Sequence, residues 1–379
     1  MLSGSSNGGQ TKARVWDLPV RISHWLLVVC ITAAWLTRDA RLIDLHAAAG
    51  WCALLLVAFR LAWGFIGTAH ARFSDFRYGS REALGYIAAS LKGSPRHYTG
   101  HNPAGSWSVY LLLAGVLIVC LTGVIAIAAM FSMGPLQVEL PAPVTDAVRE
   151  SHEWIAWALL AVIAAHIAGA IASSVLHREN LVAAMFSGRK RVHEAQAIPV
   201  PARRGVAATL AACALGVIAL YLATSGWTHG YADARAQAKA AKAPATKWNK
   251  ECSGCHLAYP PASLPMRSWE RMIREQSEHF GEDLSLSEAG ARALLAEAAK
   301  AQRQTWAEWK LASSAPAGEA PQRISELRFW RRAHHDLPDS AFKPPVSTGR
   351  HACESCHLDA ASGIFHPRMI QRPARESIL

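Results

Sequence analysis

Apolar residues in this chain gather into long blocks instead of alternating with polar ones. Five blocks approach or exceed the roughly 20 residues that a helix needs to cross a bilayer core. They are Leu18–Leu36, Leu45–Gly67, Trp107–Met130, Ile155–Leu176 and Val206–Trp227. The first is the weakest, because Arg21 interrupts its start. After Trp227 the pattern changes to short amphipathic stretches such as "SWERMIREQSEHFGE", separated by turns. Two segments read as connectors: Ala- and Lys-rich 231–247, and "LASSAPAGEAP" over 311–321. The pattern predicts an all-α chain: a transmembrane helix bundle, a further tethering helix, then a small and mainly helical domain. The opening "MLSGSSNGGQTKAR" is polar and has no apolar core ahead of a cleavage site. Residues 1–13 are therefore expected to be disordered, with the first membrane helix as the export signal.

Composition supports the division. Hydrophobic residues make up 51% of the 379 and charged residues only 18%. The formal net charge of +11 invites a nucleic-acid reading, but its distribution points to membrane topology. If the blocks alternate in direction, Lys and Arg in 1–23, 68–105 and 177–205 number 3, 5 and 6; on the other side, 37–44 and 131–154 hold 2 and 1. This asymmetry places the N-terminus in the cytoplasm. Five crossings then deliver residues 228–379 to the outer side.

That outer part carries Cys-x-x-Cys-His twice, in "NKECSGCHLAYPP" and "GRHACESCHLDAA". Two thiols three positions apart can add to the two vinyl groups of one porphyrin, and the adjacent imidazole then binds the iron. Cys252, Cys255 and His256 form one such set; Cys353, Cys356 and His357 form the other. Zinc and redox-dithiol sites also use Cys-x-x-Cys pairs, but a zinc site built from both pairs would leave His256 and His357 as coincidences. The other four cysteines (Cys30, Cys52, Cys120, Cys213) lie in apolar runs, where a thiol behaves as a small hydrophobe. Each covalently held iron needs a sixth ligand. For the first the candidates are His279, Met266 and Met272; for the second they are His334, His335, His351 and His366.

Ionisable residues inside membrane segments are costly and are usually retained for function. His24, His46, His152 and His166 occupy such places. His152 and His166 are fourteen residues apart, nearly four whole turns, so they leave one helix face about 21 Å apart along its axis. Alternating topology pairs His46 with His152 near the outer surface and His24 with His166 near the inner one. Each pair can give a six-coordinate, non-covalent b-type haem suited to electron transfer. A lone histidine could instead hydrogen-bond across the bundle, but four at matched depths argue for the haem reading. Arg21 and Arg60 are candidates to neutralise haem propionates; snorkelling to the headgroups is the alternative. Gly-rich phosphate loops are absent, which argues against a nicotinamide- or flavin-linked reductase.

The segments "VWDLPVRISHW", "HAAAGWCALLLVAFRLAWGFIGTAHARFSDF", "GHNPAGSW" and "HEWIAWALLAVIAAHIAGAIASSVLHRENLVAAMFSGRK" resemble the bacterial cytochrome b561 family, which includes nickel–iron hydrogenase b-type subunits. The resemblance covers about 14–191 and implies a four-helix diheme bundle with ligands at His24, His46, His152 and His166. "CHLAYPPASLPMRSW", "HFGEDLSL", "FWRRAHHDLP" and "CESCHLDAASGIFHPRMI" resemble the diheme cytochrome c family over about 247–372. That family's bis-histidine coordination maps onto His279 and His334, with the neighbouring His335 as the rival. The expected organisation is 1–13 disordered, 14–192 diheme membrane domain, 193–230 linker and fifth membrane helix, 231–247 tether, and 248–379 diheme cytochrome c domain. The cofactors expected are two b haems, two covalent c haems and an exchangeable quinone. Expected partners are membrane lipid, quinone or quinol, and a soluble periplasmic cytochrome or other redox protein, with no nucleic acid. A multi-pass inner-membrane chain with its C-terminal domain in the periplasm is implied. The direction of electron flow and the oligomeric state stay open, a homodimer being one option. A membrane anchor for a separate dehydrogenase or hydrogenase is the competing reading.

Overall fold

A computed structural model describes residues 10–39, 42–131, 136, 138–193, 216, 246–300 and 305–371. The described chain is mostly helical and divides into two compact units. The first comprises residues 1–125 and 148–224; the second comprises 126–147 and 225–379.

In the first unit, β1 (Gln10–Arg14) pairs antiparallel with β2 (Arg189–His193), in the register Gln10↔His193 to Arg14↔Arg189. Residues 10–13, expected to be disordered, are thus in a strand. Their partner lies about 180 positions away, and no local pattern could announce it. The main helices are α1 (Leu18–Leu36), α2 (Ile43–Ile66), α3 (Ser80–Leu91), α4 (Pro103–Phe131), α5 (Ala142–Leu176) and α6 (Leu181–Ser187). Four of them, α1, α2, α4 and α5, are long and apolar enough to cross a membrane. The fifth expected crossing, Val206–Trp227, lies outside the described residues apart from Gly216, as does most of the expected tether.

Local chemistry sets the helix ends. Asp17 caps α1 by accepting from Val20 N at 2.9 Å, with Pro19 in the first turn. The same carboxylate accepts from Trp63 Nε1 at 2.8 Å and Thr68 Oγ1 at 2.6 Å, tying the start of α1 to the end of α2. Helix α5 begins thirteen residues before the apolar block at Ile155. Hydropathy registers only the depth of the bilayer, whereas "DAVRESHEW" is rich in good helix formers and carries an Arg149–Glu153 ion pair one turn apart. The bundle core contains Cys30, Cys52, Leu56, Val57, Leu113, Val116, Cys120 and Leu159. The three cysteines take the small-hydrophobe role expected of them, while Cys213 lies outside the described residues. Large apolar side chains such as Val29, Phe65 and Trp154 stay exposed, as they would facing lipid.

The second unit adds α7 (Lys247–Cys252), α8 (Met266–Arg274), α9 (Glu288–Ala299), α10 (Trp306–Ser313) and α11 (Arg328–Ala333), joined by 3₁₀ turns. Its core is built on Trp248, Leu264, Trp269, Leu294, Leu311, Leu327 and Trp330. Trp248 and Trp269 meet edge to face at 4.9 Å, and their indole N–H groups donate to Tyr259 O and Pro261 O. The expected connector at 311–321 is a correction. Leu311 and Ala315 are buried in this core, and Arg267 donates to the carbonyls of Pro316 and Glu319. Its Ala–Ser–Pro composition resembles a linker because small residues pack closely while adding little hydropathy.

Candidate haem sites

Imidazole nitrogens bind a transition metal at about 2 Å, so two rings on opposite sides of one ion have centroids roughly 6 Å apart. Three histidine pairs meet that spacing. His46 from α2 and His152 from α5 have ring centroids 5.9 Å apart at 76°. His256 and His279 are 6.3 Å apart at 30°, and His334 and His357 are 6.0 Å apart at 75°. His24 and His166 lie within electrostatic range of one another. Each of these is a pairing expected from the sequence.

Hydrogen bonds at Nδ1 orient most of these rings. His46 Nδ1 donates to Ala34 O at 2.8 Å, His152 Nδ1 to Val119 O at 2.9 Å, His256 Nδ1 to Leu257 O at 2.7 Å and His334 Nδ1 to Trp330 O at 2.8 Å. His166 Nδ1 pairs with Ser108 Oγ at 2.9 Å. A carbonyl at Nδ1 fixes the proton there and leaves Nε2 with its lone pair for a metal. Gly123 makes room for one ring, since a Cβ there would lie 2.8 Å from His152 Cε1. Burial, with His334 beside it, pushes His357 down to about 4, so that it stays neutral, the form that binds iron.

His334 and His335 separate clearly. His334 is partly buried, stacks on Trp330 at 4.3 Å and faces His357; His335 is exposed and holds Arg332 O at 2.9 Å. His279 needs a correction: it follows a 3₁₀ turn, Gln276–Glu278, instead of lying on a helix. The helix stops at Arg274, and the chain turns so that His279 exchanges backbone hydrogen bonds with Glu282. Met266 and Met272 pack into the core of this unit. His366 has its Nδ1 engaged by Arg368 N at 3.0 Å.

Cys252, Cys255, Cys353 and Cys356 are free thiols. Burial, with nearby carboxylates adding, pushes Cys252 up to about 11 and Cys353 up to about 12. Among the described residues no cluster of three or more His, Cys, Asp or Glu could hold a metal ion by itself, which disfavours zinc. Tyr259 escaped the sequence reading. Its ring lies 5.2 Å from His256 and its hydroxyl donates to His351 O, so one side chain reaches from the first motif to the second. Its position three residues after His256 gives no hint of the far contact.

Arg21 donates to Phe186 O, and its Nε has no partner. Arg60 is 6% exposed and lies over the Phe73 ring at 5.3 Å. The buried, unpartnered Nε of Arg21 and Nη1 of Arg60 are donors that a haem propionate would satisfy, so these residues fit the group.

Membrane-length helices with a facing histidine pair are thus followed by a unit in which each Cys-x-x-Cys-His histidine faces a second histidine. Residues 15–188 match the family model "Prokaryotic cytochrome b561" and residues 248–365 match "Dihaem cytochrome c". The chain thus joins a region similar to each family, a combination that goes with membrane electron transfer by haem b and haem c. A "Probable Ni/Fe-hydrogenase B-type cytochrome subunit" from Rhizobium leguminosarum bv. viciae is 24% identical over 213 residues, covering 46% of this chain and 87% of the relative. The protein of the same description from Rhodobacter capsulatus is 26% identical over 219 residues, covering 48% and 82%. The crystal structure of DHC purified from Rhodobacter sphaeroides is 33% identical, covering 31% of this chain and 93% of that one, with a TM-score of 0.25.

Proposed function

We propose that this chain carries electrons between the membrane quinone pool and a soluble redox protein in the periplasm, using four haems. The observation that carries the proposal is the set of three histidine pairs with ring centroids 5.9 to 6.3 Å apart. In this reading His46 and His152 hold the outer b haem, and His24 and His166 the inner one. Cys252, Cys255, His256 and His279 hold the first c haem; Cys353, Cys356, His357 and His334 hold the second. Bound haem supplies reversible one-electron chemistry. The chain would supply two imidazoles to each haem, a ligand set suited to electron transfer and not to oxygen binding, in an apolar bundle whose b sites lie at different depths. The N-terminus is cytoplasmic and the c region periplasmic, as the positive-inside asymmetry argues.

Acid–acetone extraction followed by pyridine haemochrome spectra tests the count. About half the haem should extract as b-type, and the rest should stay with the polypeptide as c-type. Extraction of all the haem would overturn the covalent assignment. Reduction of the purified chain by a quinol analogue, followed by oxidation by a soluble cytochrome, tests the path. The names of the relatives support a second reading, in which the chain serves a separate hydrogenase. Co-purification with a large metalloenzyme, and failure to oxidise quinol without it, would favour that reading.

A further inference from the structure

Two buried donors in the first unit face no acceptor. Arg60, in the inner half of α2, has no hydrogen-bond partner at Nη1. Asp17 lies close enough for their charges to interact, but its carboxylate already accepts from Val20 N, Trp63 Nε1 and Thr68 Oγ1. His101, two residues before α4, packs between Trp16 at 4.7 Å and Phe76 at 4.4 Å, and its Nδ1 also lacks a partner. Phe73 and Phe76 link the two residues, since Arg60 lies over Phe73 and the two rings are 5.8 Å apart. Arg60 and His166 are both within electrostatic range of His101.

The other cation here is already engaged. Lys190 Nζ reaches Tyr98 O at 3.3 Å, Thr99 O at 3.1 Å and Glu179 Oε2 at 3.3 Å. Arg60 therefore presents a guanidinium out of water without a directly bonded anion, and such a charge is strongly destabilising unless an anion joins it. A neutral imidazole N–H beside it adds a second donor. A carboxylate with two oxygens satisfies both, and its bonds to a charged donor are the stronger kind.

We infer that Arg60 and His101 form a buried carboxylate site that takes a propionate of the inner b haem. The inference rests on the proposed b haem at His24 and His166. Haem carries two carboxylates along one edge, and His101 lies within electrostatic range of His166, one of the two histidines that would hold its iron. The sequence offered Arg60 for this role but not His101. Only the folded chain places its ring against Phe76 and near Arg60.

The test uses the full chain with its haems. Wild type, Arg60→Gln, Arg60→Lys, His101→Phe and His101→Gln are compared by haem b and haem c content and by optical redox titration. The inner haem is the one that His166→Ala removes. Arg60→Gln and His101→Phe should lower the midpoint potential of the inner b haem or release that haem. A positive charge near the iron favours the reduced state, and an unneutralised propionate opposes it. Arg60→Lys and His101→Gln, which keep the charge and the donor, should stay near wild type, and the outer b haem and both c haems should be unchanged in every variant. An inner potential that none of the variants moves would overturn the inference, and so would equal effects of His101→Phe and His101→Gln, which would mean that the ring only packs. Fewer than two extractable haems in wild type would instead overturn the proposed function itself.

Discussion

His334 and His335 are chemically identical neighbours, and the backbone separates them. His334 closes the last turn of α11, its Nδ1 held by Trp330 O and its ring stacked on Trp330, so it is turned toward His357. His334→Ala should leave both thioethers intact, so c-haem content should hold while one of the two c haems becomes high-spin. His335→Ala should leave the spectrum unchanged, and the reverse result would reassign the ligand. Ring planes carry a further expectation. Near-perpendicular imidazoles make two iron d orbitals nearly equal in energy. The His46–His152 and His334–His357 sites, at 76° and 75°, should therefore give strongly anisotropic low-spin EPR signals, and the His256–His279 site at 30° a more ordinary rhombic one. Three rhombic signals would mean that the rings turn when haem binds. The residue types and spacings of these sites were legible in the sequence. Ring orientation was not, because it depends on carbonyls of other turns and elements.

At the scale of elements, Asp17 does two tasks. It caps α1 and clamps the C-terminal end of α2 through Trp63 and Thr68. Asp17→Ala would leave three donors searching for partners, each costing about 1–3 kcal/mol if it stays dry. Thermal unfolding in detergent should show a loss of several kcal/mol, roughly, with early release of the inner b haem. Asp17→Asn, which retains one acceptor oxygen, should lie in between. A variant as stable as wild type would mean that water replaces the carboxylate. The cap joins positions three apart, whereas the clamp reaches Thr68 fifty-one residues away and so escapes any local pattern. The strand at Gln10–Arg14 and the 3₁₀ turn before His279 escaped for the same reason: their stabilising partners are distant or depend on where the chain must turn.

For the whole molecule, the proposed path places the c haems between the b haems and a soluble partner. A chain ending at Gly226 should retain both b haems and still be reduced by a quinol analogue. It should fail to pass electrons to a soluble acceptor cytochrome that the full chain reduces, and stopped-flow absorbance would follow both steps. Equal rates from both chains would remove the c haems from the path. The sequence by itself determined the membrane-length helices, the two Cys-x-x-Cys-His motifs and the four histidines within apolar helices, because each is written in local spacing: hydropathy over a bilayer's depth, two thiols three apart, and imidazoles a whole number of turns apart. Tertiary structure alone decided that His334 and not His335 faces His357, that Tyr259 reaches from one motif to the other, and that Arg60 and His101 share a buried corner. Those outcomes depend on which distant backbone carbonyls and side chains pack together, and no local pattern encodes that.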